Sequence, residues 1–290
     1  MKLLPSLLVG TLPLLVGSTM AAVMNFDFNV RLDDNDNSNV IPETYVGLGA
    51  APDSASNTRW NSVRRTGSTS ISSNAAINNP ILDSSGFATT VDVHISTNPA
   101  IAGIGHERSA GMQELGPSGA YTNLMGDFIQ LDAVGADTGA VATANGSFTG
   151  LAPNSIYEIY FYGQGELYGP SGNQNSGQNS LFAITDSLGG SIIGTAKQTG
   201  WTASNGVLTD GVEYVKFSAT ANASGEIFFI WQNVVAGVNA PTDAAGDAGG
   251  SPSDYAALNG IQIVQVVPEA SSALLGILGM GGLLLRRRRD

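Results

Sequence analysis

Apolar and polar residues alternate along this chain with a period of two. Phe87, Thr89, Val91, Val93 and Ile95 face one way while Ala88, Thr90, Asp92, His94 and Ser96 face the other, as a strand with one dry and one wet face requires. From Asn25 the same pattern sets Phe26, Phe28, Val30 and Leu32 against Asn25, Asp27, Asn29 and Arg31. Further strands are predicted over 127–133, around Ser147, and over 156–162, 181–185, 191–196, 212–219, 226–232 and 260–266, with one helical turn within 112–124. Clusters of Gly, Pro, Asn and Asp punctuate them, as at Gly150-Leu151-Ala152-Pro153-Asn154, where the proline and asparagine supply turn geometry. No self-similar period of ~20–50 residues is visible, against a propeller or solenoid. About ten strands with few helices predict an all-β fold, a single antiparallel β-sandwich of the jelly-roll type.

Two stretches break the alternation. The 18 residues from Gly163 to Ser180 carry no periodic apolar positions, so they are expected to form a long loop, the kind that is functional or disordered. Asn239 to Ser253 is a second polar loop, and residues 50–80, rich in Ser, Asn and Ala, read as loop with one edge strand.

Each end has its own grammar. Lys2, then LLPSLLVGTLPLLVG, then the small residues Ser18 to Ala22 follow the charge, apolar and cleavage pattern of a secretory signal peptide. At the other end Val267, Pro268 and Glu269 precede 16 uncharged residues, Ala270 to Leu285, and then Arg286, Arg287, Arg288 and Arg289. That run is shorter than the ~17–25 residues that span a bilayer comfortably, and arginines placed after it would hold this end in the cytoplasm. The order of Pro-Glu turn, short apolar helix and Arg cluster resembles the PEP-CTERM sorting signal of polysaccharide-secreting bacteria, with Ala270 standing where the family has a second proline. The resemblance implies a membrane-bound processing protease of the exosortase type as a partner. An uncut C-terminal anchor is the alternative reading. The expected division is a signal peptide over 1–22, a sandwich domain over 23–266 and a sorting signal with a short transmembrane helix over 267–290. The expected location is outside the cytoplasm, in the cell envelope, on the cell surface or in the extracellular matrix. Leu258 to Ile263 (LNGIQI), and Asp127-Phe128-Ile129 ahead of the Leu151-Ala152-Pro153-Asn154 turn, further resemble the bodies of tagged β-sandwich proteins and, through them, galactose-binding-type jelly rolls.

Charge narrows the partners. The chain has 12 basic and 24 acidic residues. Without Lys2, the four terminal arginines and Asp290, 7 basic and 23 acidic residues remain, so the body carries about −16. Such a balance disfavours nucleic acid, whose binding depends on neutralising phosphates with Lys and Arg, and anionic lipid; membrane contact is expected through the terminal helix only. Cysteine is absent, which removes disulfides, thiol catalysis and Cys-based metal sites.

No motif compels catalysis. No Gly-x-Ser-x-Gly elbow flanks a serine that could join His94 or His106. His106-Glu107 lacks the second histidine of a zinc-protease helix. Asp33, Asn35 and Asn37 begin like a calcium loop, but Ser38 stands at the glycine position and Thr44 where the bidentate Glu belongs. Two readings stay open there: a looser structural calcium site completed by Glu43, or a plain Asx turn. No cofactor is otherwise required.

On the strand 156–162, period two places Tyr157, Ile159 and Phe161 on the core face and Glu158, Tyr160 and Tyr162 on the other. With Glu166 and Tyr168 of the following loop, the second set suits stacking on a sugar and bonding its hydroxyls; the alternative is that these rings cover the core from outside. The leading expectation is an exported, non-enzymatic surface or matrix protein that associates with extracellular polysaccharide. A glycoside hydrolase or lyase on the same scaffold, or a purely structural matrix component, are the alternatives.

Overall fold

The structure is a computed structural model that describes residues 22–28, 49–51, 58–63, 65–67, 70–72, 80–98, 102–107, 122–125, 128–133, 141–167, 177–200, 207–235, 238–239 and 255–267. In chain order the strands are β1 (Val23–Asp27), β2 (Asn61–Ser62), β3 (Arg65–Gly67), β4 (Ser70–Ser72), β5 (Asp92–Thr97), β6 (Ala102–Glu107), β7 (Phe128–Ala133), β8 (Thr143–Thr149), β9 (Ile156–Tyr162), β10 (Gln164–Leu167), β11 (Gly177–Thr185), β12 (Lys197–Gln198), β13 (Tyr214–Thr220), β14 (Ile227–Asn233), β15 (Tyr255–Leu258) and β16 (Gly260–Gln265). One helical turn, α1 (Thr122–Met125), precedes β7.

The fold is an all-β sandwich. One sheet runs β13-β9-β16-β1-β2; the facing sheet runs β10-β11-β14-β8-β5-β4-β3, with β12 on β11; a smaller sheet runs β15-β7-β6. Among the described residues the ladders are antiparallel except the two-residue pairing of β1 with β2. The core lies between the two large sheets because each strand turns alternate residues inward. Phe26, Ile159, Phe161, Val215, Phe217, Ile261 and Ile263 come from the first, and Val93, Ile95, Phe148, Phe182, Phe229 and Trp231 from the second.

Four expectations change. The first strand was expected to be half wet, yet Asn25 and Asp27 are as buried as Phe26, because β1 is flanked by β16 and β2 and its second face is covered too. The alternation from Phe87 does not form one strand: Val91, Val93 and Ile95 are buried, but Phe87 is 71% exposed. Phe87 belongs to a turn in which Asp83 Oδ1 accepts the N–H groups of Ser85 and Phe87 at 2.9 Å each. The expected strand 191–196 reduces to a single bridge between Ile192 and Thr185. Finally, both ends of the polar stretch 163–180 are strand: Gln164 and Leu167 pair with Asn179 and Gly177. Ladder hydrogen bonds need only backbone, so a segment without apolar alternation can still pair; Gln164 N–H is fixed further by Asn259 Oδ1 at 2.8 Å.

Candidate functional site

The outward face of the β13-β9-β16-β1 sheet is built by register. Tyr214, Lys216 and Ser218 of β13 stand opposite Tyr162, Tyr160 and Glu158 of β9. These in turn stand opposite Gly260, Gln262 and Val264 of β16, and Gln262 opposite Asn25 of β1. Period two then gives one face to all of these residues, with Val215, Phe217, Tyr157, Ile159 and Phe161 beneath them in the core.

This face has a covered half and an open half. Tyr162 is 0% exposed and Tyr160 2%, so neither presents the free ring face that the strand pattern alone suggests. Tyr160 lies against the Tyr214 ring and the Lys216 ammonium, while the cover over Tyr162 comes from the segment Gly49–Ala51 and from Trp60. Ala50 N–H donates to Tyr162 Oη at 2.7 Å, Ala51 N–H donates to Gln262 Oε1 at 3.1 Å, and Tyr162 Oη donates to the same Oε1. Gln262 Nε2 donates to Asn25 Oδ1 at 2.7 Å, and the Trp60 ring meets that of Tyr162 edge-on at 5.9 Å. Position 49 is glycine because a Cβ there would lie 2.2 Å from Gln262 Oε1.

The open half holds an ion pair. Lys216 Nζ lies 2.7 Å from Glu158 Oε1, both side chains about a third exposed or less, and Tyr160 Oη donates to Glu158 Oε2 at 3.0 Å. The Lys216 ammonium lies 5.3 Å from the centre of the Tyr160 ring, a cation-π distance. Tyr214, half-buried, packs its ring 5.7 Å from Tyr160 and 5.8 Å from Tyr162. Ser218 beside it is exposed.

Electrostatics fix the protonation states. The hydrogen bond from Lys216 holds the Glu158 carboxyl below its ordinary range, with the Tyr160 hydroxyl and the Lys216 charge adding to it against a modest burial penalty. Glu158 is therefore an ionised acceptor at neutral pH and unsuited to protonating a leaving group. Burial, then the hydrogen bond to the Glu158 carboxylate and that carboxylate's charge, push the Tyr160 phenol well up; burial and then the Asp210 charge push Tyr214 up. For Glu158 the folded state binds the proton less readily than the unfolded one. Its contribution is thus full above the ordinary carboxylate range and is lost as pH falls through the depressed folded value. A pair this exposed contributes about 0–1 kcal/mol. Glu158→Gln is expected to flatten the acid side of a stability-versus-pH curve as pH falls through and below the ordinary carboxylate range; urea melts of both proteins across that range check it, and parallel curves would contradict it.

The remaining candidates divide by position. Asp33, Asn35, Asn37 and Glu43 lie outside the described residues, as do Tyr168, Pro268, Glu269 and Arg286 to Arg289. Glu166 sits on the β10 backbone, next to the β11 hairpin arm, and Val267 is exposed just after β16. Among the described residues no three His, Cys, Asp or Glu side chains cluster to hold a metal. Sequence reasoning missed Tyr214 and Lys216. Their alternation with Val215 and Phe217 was legible, but not that β13 is the neighbour of β9.

No protein-family model matches the chain, and no curated protein matches it significantly. Among solved structures it is similar to TmCBM61 in complex with β-1,4-galactotriose, with a TM-score of 0.28 and 9% identity over 60% of this chain and 88% of that one. It is also similar to the enzymatically active domain of bacteriophage CBA120 tailspike protein 4, with a TM-score of 0.22 and 8% identity over 60% of this chain and 18% of that one. Scores this low leave the chemistry to be decided by the chain's own residues.

Proposed function

We propose that this protein is an exported, non-enzymatic surface or matrix protein that associates with extracellular polysaccharide, sorted by the Pro268-Glu269 signal and its Arg286 to Arg289 cluster. The observation that carries the glycan reading is the half-open strip on the first sheet. It combines an ionised acceptor (Glu158), a charged donor (Lys216), a half-buried phenol ring (Tyr214) and an exposed hydroxyl (Ser218). Alternating donors and acceptors beside an aromatic ring suit the hydroxyls and apolar faces of a sugar. Tyr160 and Tyr162 flank that strip on the same face, packed against the Tyr214 ring, and Glu166 and Tyr168 belong to the chain that leaves β9 toward β11. A strip this shallow gives roughly micromolar to millimolar affinity per copy, and many copies on one polymer supply avidity.

One experiment tests both parts. The protein recovered from outside the cell is expected to show an intact mass lacking Arg286 to Arg289; a species that keeps them makes the tail a plain anchor. The same material is expected to be retained on the polysaccharide secreted by its own cells, and Tyr214→Ala/Lys216→Ala is expected to lose retention severalfold while keeping the parent's circular dichroism. Equal retention of folded parent and variant would remove the strip from the binding site.

A further inference from the structure

One end of the sandwich exposes a set of large apolar side chains among its polar turns. β9 and β1 begin there and β13, β16, β8 and β11 finish there, as their antiparallel registers require. Ile156, the first residue of β9, and Val266, just past β16, are both exposed and joined by Val266 N–H donating to the Ile156 carbonyl at 2.8 Å. The turn after β11 adds exposed Leu188, Ile192 and Ile193. The turn at 83–87, tied to the start of β1 by Ser84 N–H on the Val23 carbonyl at 2.7 Å, adds Phe87.

These turns are rigid displays. Asp186 Oδ1 accepts Ser191 N–H at 2.9 Å and Ser187 Oγ–H at 3.0 Å, and Ile193 N–H donates to the Ile184 carbonyl at 2.8 Å. Of the carboxylates at this end, which also include Asp92 at the start of β5, Asp83, Asp186 and Glu226 accept hydrogen bonds within their own turns, which lowers the cost of bringing those three near a less polar medium. Large apolar side chains exposed at one end, on turns closed by hydrogen bonds, suit a contact surface.

Chain length identifies the occupant. Only residues 267–269 separate Val266 from the uncharged run Ala270 to Leu285. We propose that this end of the sandwich seats on the lipid surface while the tail is inserted, dipping its aliphatic tips and Phe87 into the headgroup boundary. The body's negative charge favours a zwitterionic surface over an anionic one. This rests on the tail being membrane-inserted and is independent of glycan binding.

The absence of cysteine allows one dye per molecule. The full chain carrying Ile193→Cys, Leu188→Cys or, at the opposite end, Val238→Cys is labelled with a polarity-sensitive fluorophore and reconstituted into phosphatidylcholine vesicles. Dyes at 188 and 193 are expected to emit to the blue of the dye at 238 and to be quenched severalfold less by aqueous iodide. Equal emission and quenching at all three positions would overturn the seat. So would protection that rises with the protein-to-lipid ratio, which marks a second copy of the chain as the occupant. Glycan retention scored on the same proteins separates the two readings: lost retention with dye depth unchanged supports the seat and sinks only the strip.

Discussion

Replacing Phe161 with alanine is expected to lower the free energy of unfolding by about 3–5 kcal/mol, the range for removing a buried phenylalanine. Phe161 joins the two large sheets. Its ring stacks on Phe182 at 4.7 Å and 13°, lies 5.0 Å from Phe229 and 6.3 Å from Phe148, all from the facing sheet, and meets Phe217 of its own sheet edge-on at 5.9 Å. Truncation removes four ring contacts at once and leaves a void bounded by rings that strands on both sides hold in place. With total stability of about 5–15 kcal/mol for a domain and no disulfide to limit the unfolded state, the loss is a large fraction of the whole. Urea unfolding measures it, with Phe228→Ala, on the outward side of the same β14, as the control expected to cost far less. A shift at Phe161 no larger than the control's would contradict the packing described.

Gly146→Ala is expected to destabilise by about 1–3 kcal/mol, the range for overpacking a close-packed core, although glycine to alanine at an ordinary compatible position stabilises by about 0.4–1 kcal/mol. A Cβ at position 146 would lie 2.1 Å from Phe229 Cζ and 2.3 Å from its Cε2, because the two residues are register partners between β8 and β14 and the ring lies flat over the glycine. The ring itself is stacked on Phe148 at 4.9 Å and has no room to withdraw. Combining Gly146→Ala with Phe229→Leu is therefore expected to cost less than the sum of the two single changes, since the smaller side chain vacates the space. Strict additivity would mean that the ring does not depend on the missing Cβ.

The candidate site was half legible. Alternation along 156–162 correctly put Tyr157, Ile159 and Phe161 in the core and Glu158, Tyr160 and Tyr162 on the opposite face. It could not say that this face would be roofed, because the roof arrives from Gly49–Ala51 and Trp60, about a hundred residues earlier, in a stretch with no periodicity to announce it. Nor could it pair Glu158 with Lys216, because a strand's own pattern specifies its two faces and not the neighbour at its edge.

Sequence alone determined the class of fold, since period-two alternation in many short segments can bury an apolar face only by pairing strands and packing sheets. It determined too that no thiol or disulfide takes part, because there is no cysteine. Tertiary structure alone decided which polar faces stay wet. Asn25 reads as a solvent-facing residue, yet it is fully buried, its side chain bonded to Gln262 and to the Arg59 carbonyl. Conversely Phe87 reads as a residue of the apolar face and is exposed, because a turn closed by Asp83 carries it outward. Burial follows from what a side chain meets across the fold, and a local pattern holds no record of partners supplied from elsewhere in the chain.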